Sequence, residues 1–266
     1  MSPSALSAAF DPALLSRIED AGLNASAPPQ QRWLDGWLVR FSPGKAKRAR
    51  CVNAVAEGRL PVDVRLTACA QVFAQAGLPM IVRITPFALP AGLDTLLERQ
   101  GLRRFDDTRV MVLADLPTCL PAFEAQAGGD ISIRSIGLDA LAQRIGAFRG
   151  SSLAQRQAHA ERLLNAPVPF FAFELHARNE PVACGQFALE GDLVGLYDVF
   201  TVDSARRQGL AQLLCKHLLT QAVSKGAKHA YLQVEGDNLA ARSAYHRLGF
   251  RDGYAYHYRT FDPSAA

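Results

Sequence analysis

The sequence predicts two α/β domains laid end to end, the second built on a mixed sheet. Three observations predict this. A chain of 266 residues exceeds the usual size of one domain. The segment DLPTCLPAFEAQAGGD, Asp115 to Asp130, carries two prolines, two glycines and few strand formers, so it reads as a connector. A helix–glycine–strand pattern also occurs twice at a near-constant offset. The expected domains are residues 1–120 and 130–266.

In the first half, WLDGWLVRF (Trp33 to Phe41) reads as β-like. ACAQVFAQAGLPMIVRI, from Ala68, reads as helix, glycine stop and strand. LDTLLERQGLRRF, from Leu93, is a helix ending in a glycine and a hydrophobic residue.

The second half begins with ISIRSIGLDALAQRIGAF, a strand that turns into a helix. Leu138, Leu141, Ile145 and Phe148 give that helix one apolar face. LAQRQAHAERLL is a second helix. FFAFELH, VACGQFALE and LVGLYDVFTV are strands, and the short ARNEP and EGD links between them suit antiparallel pairing. A helix from about Leu210 to Ser224 follows, stopped at Gly226. HAYLQV is a strand, NLAARSAYHRLGF a helix and YAYHYRTF a last strand. The order β-α-α-β-β-β-α-β-α-β makes an α/β domain on a mixed sheet. LLTQAVSKGAKHAYLQV and ARSAYHRLGFRDG repeat the two first-half patterns. Gly226 follows Gly77 by 149 residues and Gly249 follows Gly101 by 148, which suggests an internal duplication.

A formal charge of +4 from 29 basic and 25 acidic residues demands neither a nucleic-acid nor a membrane partner. The five cysteines form no CxxC pair and no Cys/His cluster with ligand spacing, so free thiols and no metal are expected. The first residues lack a basic start followed by a long apolar run, and no apolar run is long enough for a membrane span. A cytoplasmic protein is the expectation. FSPGKAKRAR, Phe41 to Arg50, is the basic cluster of the first half. It reads either as a solvated loop or as a basic lip for an acidic substrate, the phosphates of a coenzyme or nucleic acid. Phe41 alone is too little aromatic surface for stacking bases, which argues against nucleic acid.

The stretch SARRQGLAQLL, Ser204 to Leu214, follows a strand and opens a helix. Unpaired N–H groups and a partial positive charge favour phosphate there, and Gly209 removes the side chain that blocks a backbone donor. Arg206 and Arg207 add charged donors. Taken alone, the loop reads equally as an ordinary turn with two solvated arginines.

Its surroundings narrow the reading. LYDVFTVDSARRQGLAQLLCKHLL resembles the acetyl-coenzyme A motif of the GCN5-related N-acetyltransferase (GNAT) family: a strand, Arg206-x-x-Gly209-x-Ala211, then a long helix. The family's later motif is matched by Asn238, Ala241, Tyr245, Gly249 and Phe250 at the right spacings. Asp203 departs from the family's frequent proline. The resemblance covers about Ile131 to Phe261 and implies two GNAT-like domains, each a mixed, mostly antiparallel sheet flanked by helices, the first degenerate. It implies an acetyl-CoA-dependent N-acetyltransferase acting on a small-molecule or peptide amine. A non-catalytic acyl-CoA sensor on the same fold is the alternative, and a homodimer stays open.

The resemblance also assigns residues. Acetyl-CoA is expected against Phe200, Thr201 and Val202, its pyrophosphate on the backbone N–H groups of Arg207, Gln208, Gly209, Leu210 and Ala211 with Arg206 also in the coenzyme site, and with a splayed opening between this strand and HAYLQV. Asn238 caps the next helix or touches the ligand. Tyr245 is the expected general acid. The resemblance assigns no base; from their places on neighbouring strands, Asp198 is the first candidate, and Glu174 and His176 are others. The acceptor pocket is expected where the halves meet.

Overall fold

The computed structural model describes residues 6–119 and 130–265. Residues 120–129, the middle of the expected connector, lie outside the described residues. Asp11 caps the first helix by accepting from the Ala13 N–H at 3.0 Å, and Pro12 takes the first helical position, where its missing N–H costs nothing. That helix is α1 (Pro12–Ala25), followed by β1 (Gln31–Leu34), β2 (Trp37–Arg40), β3 (Val52–Asn53), α2 (Val62–Gln75), β4 (Val82–Ile84), α3 (Leu93–Arg99) and β5 (Arg103–Leu113). A single turn, α4 (Leu116–Cys119), opens the connector. Then come β6 (Ile131–Ile136), α5 (Leu138–Phe148), α6 (Leu153–Leu164), β7 (Phe170–Ala177), β8 (Glu180–Glu190), β9 (Leu193–Thr201), α7 (Leu210–Val223), β10 (His229–Glu235), α8 (Leu239–Arg247) and β11 (Arg251–Thr260). The second-half order is the expected one. WLDGWLVRF, however, is a hairpin. Asp35 (φ 41°) and Gly36 (φ 82°) form an Asp-Gly turn between β1 and β2, whose positive dihedrals match the strand twist.

The halves join in one eleven-stranded sheet of order β1-β2-β3-β4-β11-β5-β10-β9-β8-β7-β6. Eight of the ten ladders are antiparallel; β3–β4 and β9–β10 are parallel. Exchanging β4 with β10 and β5 with β11 reproduces the central order in reverse, so the halves are related by a pseudo-twofold between β5 and β11. Gly77 and Gly226, with φ 66° and 98°, end α2 and α7, and Gly101 and Gly249 end α3 and α8. Each half donates its last strand to the other: β5 lies between β10 and β11, and β11 between β4 and β5.

The donated strands are anchored. From β11, Arg259 Nε meets Asp94 at 2.5 Å, His257 Nε2 meets the same carboxylate at 2.8 Å, and Thr260 Oγ1 donates to the Met80 carbonyl at 2.8 Å. From β5, Met111 and Leu113 enter the second half's core beside Leu214 and Leu218 of α7. Glu19 of α1 is buried, holds Arg83 of β4 in a two-pronged pair and accepts from the Tyr254 hydroxyl of β11 at 2.7 Å.

Neighbouring residues of β8 divide between two cores: Ala183 and Phe187 pack with α7, Cys184 and Ala188 with α5 and α6. Since successive strand residues point to opposite faces, α7 lies on one face and α5 and α6 on the other. α1 joins the α5–α6 face through Ala25. Among the described residues no helix is long and apolar enough to cross a membrane.

Candidate functional site

An irregularity in β9 creates the site. Gln186 of β8 pairs with Tyr197 and Cys184 with Phe200, so two residues of β9, Asp198 and Val199, stand opposite Gly185. Asp198 has φ 51°, and this bulge bends the strand. On its other edge β9 pairs with β10 only from Leu193 to Leu196. Beyond that point the strands are no longer paired, and residues 196–201 and 232–235 line a cavity of about 1120 Å³. This is the splayed opening expected between the two strands.

The loop from Arg206 into α7 forms one wall. Arg207 (φ 62°) and Gly209 (φ 77°) both adopt the left-handed conformation, and Gly209 is the N-cap of α7 with no side chain to cap it. Among the described residues, no backbone N–H from Arg207 to Gln212 has a hydrogen-bond partner. A Cβ built on Gly209 meets no atom within 4 Å. The loop is thus an open concavity of unspent donors at a helix N-terminus, the chemistry that suits a pyrophosphate. Thr201 Oγ1 is buried in the same wall without a partner.

Phe200, Thr201, Arg206, Arg207, Gly209, Leu210, Ala211 and Asn238 all line the cavity, while Val202 and Gln208 do not. The N–H of Val202 is spent on the Val182 carbonyl at 2.9 Å, and the exposed Gln208 amide reaches back to the Ser204 carbonyl at 3.4 Å. Asn238 caps α8, accepting from the Ala241 N–H at 3.1 Å.

Tyr245 of α8 lines the cavity, with its ring edge-on to Phe250 at 6.0 Å. Its hydroxyl makes no hydrogen bond among the described residues. Burial, with a smaller effect from Cys215, raises its pKa well above the usual tyrosine value, so it stays protonated.

Asp198 also lines the cavity, with His159 Nε2 at 3.0 Å, Gln186 Nε2 at 2.7 Å and Arg149 Nη1 at 3.2 Å. Burial alone raises its pKa, but His159, Arg149 and Arg162 outweigh burial and hold it far below the ordinary carboxylate range. Glu174 and His176 lie outside the cavity wall. They bind one another at 2.9 Å, and Glu174 also pairs with Arg144.

The cavity reaches both faces of the sheet and both halves of the chain, lined by Ser42, Lys45, Lys47 and Arg48 of the first half and Arg149, His159 and Arg162 of the second. The basic cluster is therefore a wall of this cavity. Arg149, His159, Gln186 and Arg162 escaped the sequence reading because they sit on separate elements with no shared motif. Among the described residues no group of acidic, histidine and cysteine side chains has the arrangement to hold a metal.

Residues 140–250 match the model of the acetyltransferase (GNAT) family. A Bacillus subtilis (strain 168) protein described as an uncharacterized N-acetyltransferase, YobR, is 26% identical over 239 residues, 86% of this chain and 91% of its own length. A GCN5-related N-acetyltransferase from Kribbella flavida superimposes with a TM-score of 0.67 at 20% identity, over 93% of this chain and 95% of that one. A tandem GNAT protein from the clavulanic acid biosynthesis pathway gives 0.60 at 12% identity, over 77% and 72% of the two chains. The two structural likenesses show the fold.

Proposed function

We propose, on the premise that residues 140–250 belong to the acetyltransferase (GNAT) family, that this chain moves an acetyl group from acetyl-CoA directly to a primary amine. The observation that carries this reading is the row of unspent N–H donors from Arg207 to Gln212 opening onto the gap between β9 and β10. Gly209 leaves room for phosphate, and the free edge of β9 at Phe200 and Thr201 offers backbone groups to a pantetheine arm. Residues 130–266 form the coenzyme-binding domain in this reading; residues 1–120 are a degenerate copy that shapes the acceptor side.

Acetyl-CoA supplies an activated thioester. The amine nitrogen attacks the thioester carbonyl carbon, the C–S bond breaks, and an N–C bond replaces it. Backbone N–H groups of β9 polarise the carbonyl oxygen. The Tyr245 hydroxyl, protonated and otherwise unengaged, gives the departing thiolate its proton. Asp198 is held ionised so far below the ordinary range that it is a weak base, so in place of the base expected from the sequence it draws a substrate ammonium toward the wall. The proton the amine loses passes to Nδ1 of the His159 imidazole, whose Nε2 faces Asp198 at 3.0 Å.

The test is release of free thiol from acetyl-CoA across a panel of amines. Thiol release that needs both amine and protein, with the acetylated amine as product, is expected. Acetyl-CoA binding without thiol release on any amine would replace this reading with that of an acyl-CoA sensor.

A further inference from the structure

Among the described residues nine lysines and arginines line the cavity; setting aside Arg206 and Arg207 of the coenzyme loop and Arg247 of α8, six remain, and only two of these have a carboxylate partner. Lys47 pairs with Asp106 at 2.5 Å and Arg149 with Asp198 at 3.2 Å. Lys45, Arg48, Arg156 and Arg162 have no carboxylate within 4.0 Å among the described residues.

Two of these stand out. The Arg48 guanidinium lies 5.7 Å from the centre of the Tyr197 ring, and its Nη1 is shut off from solvent with no hydrogen-bond partner. Arg162 of α6 spends one N–H on the Ala25 carbonyl at 3.2 Å. Unpaired charge held away from water is costly, and a guanidinium fork matches the two oxygens of a carboxylate or phosphate.

The coenzyme's own phosphates are poorly placed to use them. Their cradle opens α7 on one face of the sheet, whereas Arg162 comes from α6 on the other. Tyr197, under Arg48, lies four residues before Thr201 and beyond the bulge, at most roughly 13 Å back along the strand at about 3.3 Å per residue. Asp198, the anion that attracts an ammonium, is next to Tyr197 in the chain. A cation-binding and an anion-binding group thus stand side by side at the acceptor end.

We infer that the acceptor is a small amine that also carries an oxyanion, carboxylate or phosphate, held by Arg48 and Arg162 while its amino group faces Asp198. This rests on the acetyl-transfer reading for its chemistry, but binding tests it without turnover. Protein saturated with CoA is titrated by calorimetry with N-acetyl amino acids, with N-acetylated aminoethyl phosphate, and with the matching amides and alcohol. Either the carboxylates or the phosphate should bind at least tenfold tighter than the neutral partners, which also tells the two oxyanions apart. Arg48→Ala and Arg162→Ala should each erase that preference while leaving the Kd for CoA unchanged, which also reports that the variants fold. Arg48→Lys serves if the alanine variant does not. Equal binding of acid and neutral probes, or no binding of any probe, overturns the inference. So does a loss of CoA affinity in both arginine variants, which would assign them to the coenzyme. Tight oxyanion binding with no thiol release on any amine would instead sink acetyl transfer and leave the subsite standing.

Discussion

At the scale of single residues, Gly209 and Tyr245 separate binding from chemistry. Gly209 holds φ 77°, and a Cβ added there meets no atom of the protein within 4 Å. Gly209→Val instead carries left-handed strain of about 1–2 kcal/mol and projects a side chain into the phosphate cradle. The expected result is a folded protein by circular dichroism whose Kd for acetyl-CoA rises at least tenfold; unchanged affinity removes the loop from the coenzyme site. Tyr245→Phe deletes only the proton donor. Burial keeps that hydroxyl protonated across neutral and alkaline pH, so kcat should fall roughly hundredfold with acetyl-CoA affinity intact. If kcat holds, Tyr245 is not the acid. Both residues were legible in the sequence because each sits in a local motif of fixed spacing. Arg149, His159 and Arg162 were not, since only the folded sheet brings them to one cavity with Arg48 of the basic cluster.

At the scale of elements, the cap of α8 has two duties to distinguish. Asn238 Oδ1 is committed to the Ala241 N–H at 3.1 Å, which leaves its Nδ2 as the group able to face a ligand across the cavity. None of the residues of α8 is fully buried, so this helix depends on its cap more than a core helix does. Asn238→Ala is expected to cost about 1 kcal/mol of stability, read as a lower Tm, together with coenzyme affinity. Asn238→Asp keeps the capping oxygen and loses the amide donor, so it should keep the Tm and weaken acetyl-CoA binding several-fold. Full affinity in the aspartate variant would leave Asn238 as a cap alone. Most elements were readable from periodicity and glycine stops. The β1–β2 hairpin was missed because apolar residues on both sides of Asp35–Gly36 mimic one long strand. The β9 bulge was missed because an extra residue leaves no mark in a run such as LVGLYDVFT.

At the scale of the whole molecule, the duplication was legible in the paired glycines, but the exchange of last strands was not. Two copies of one pattern offer each terminal strand two equivalent places, and nothing in RRFDDTRVMVL or YAYHYRTF says which copy it joins. The structure gives the physical consequence. Without the first half, β10 loses six paired positions along β5, β11 loses eight, and the core loses Met111 and Leu113. Without the second half, Arg259 and His257 no longer meet Asp94, and β4 and β5 have no strand between them. Each half alone therefore exposes open edges and an unfinished core, a recipe for aggregation. Cutting the chain within residues 120–129 tests this. Co-expressed pieces should co-purify as a one-to-one complex that binds acetyl-CoA as the intact chain does, because the cut leaves all ten ladders of the sheet in place. Expressed alone, residues 130–266 should aggregate or bind no coenzyme. A soluble, monomeric 130–266 fragment with full acetyl-CoA affinity would mean that the motif-bearing half closes its own sheet, and that the shared strands are a docking arrangement between independent domains.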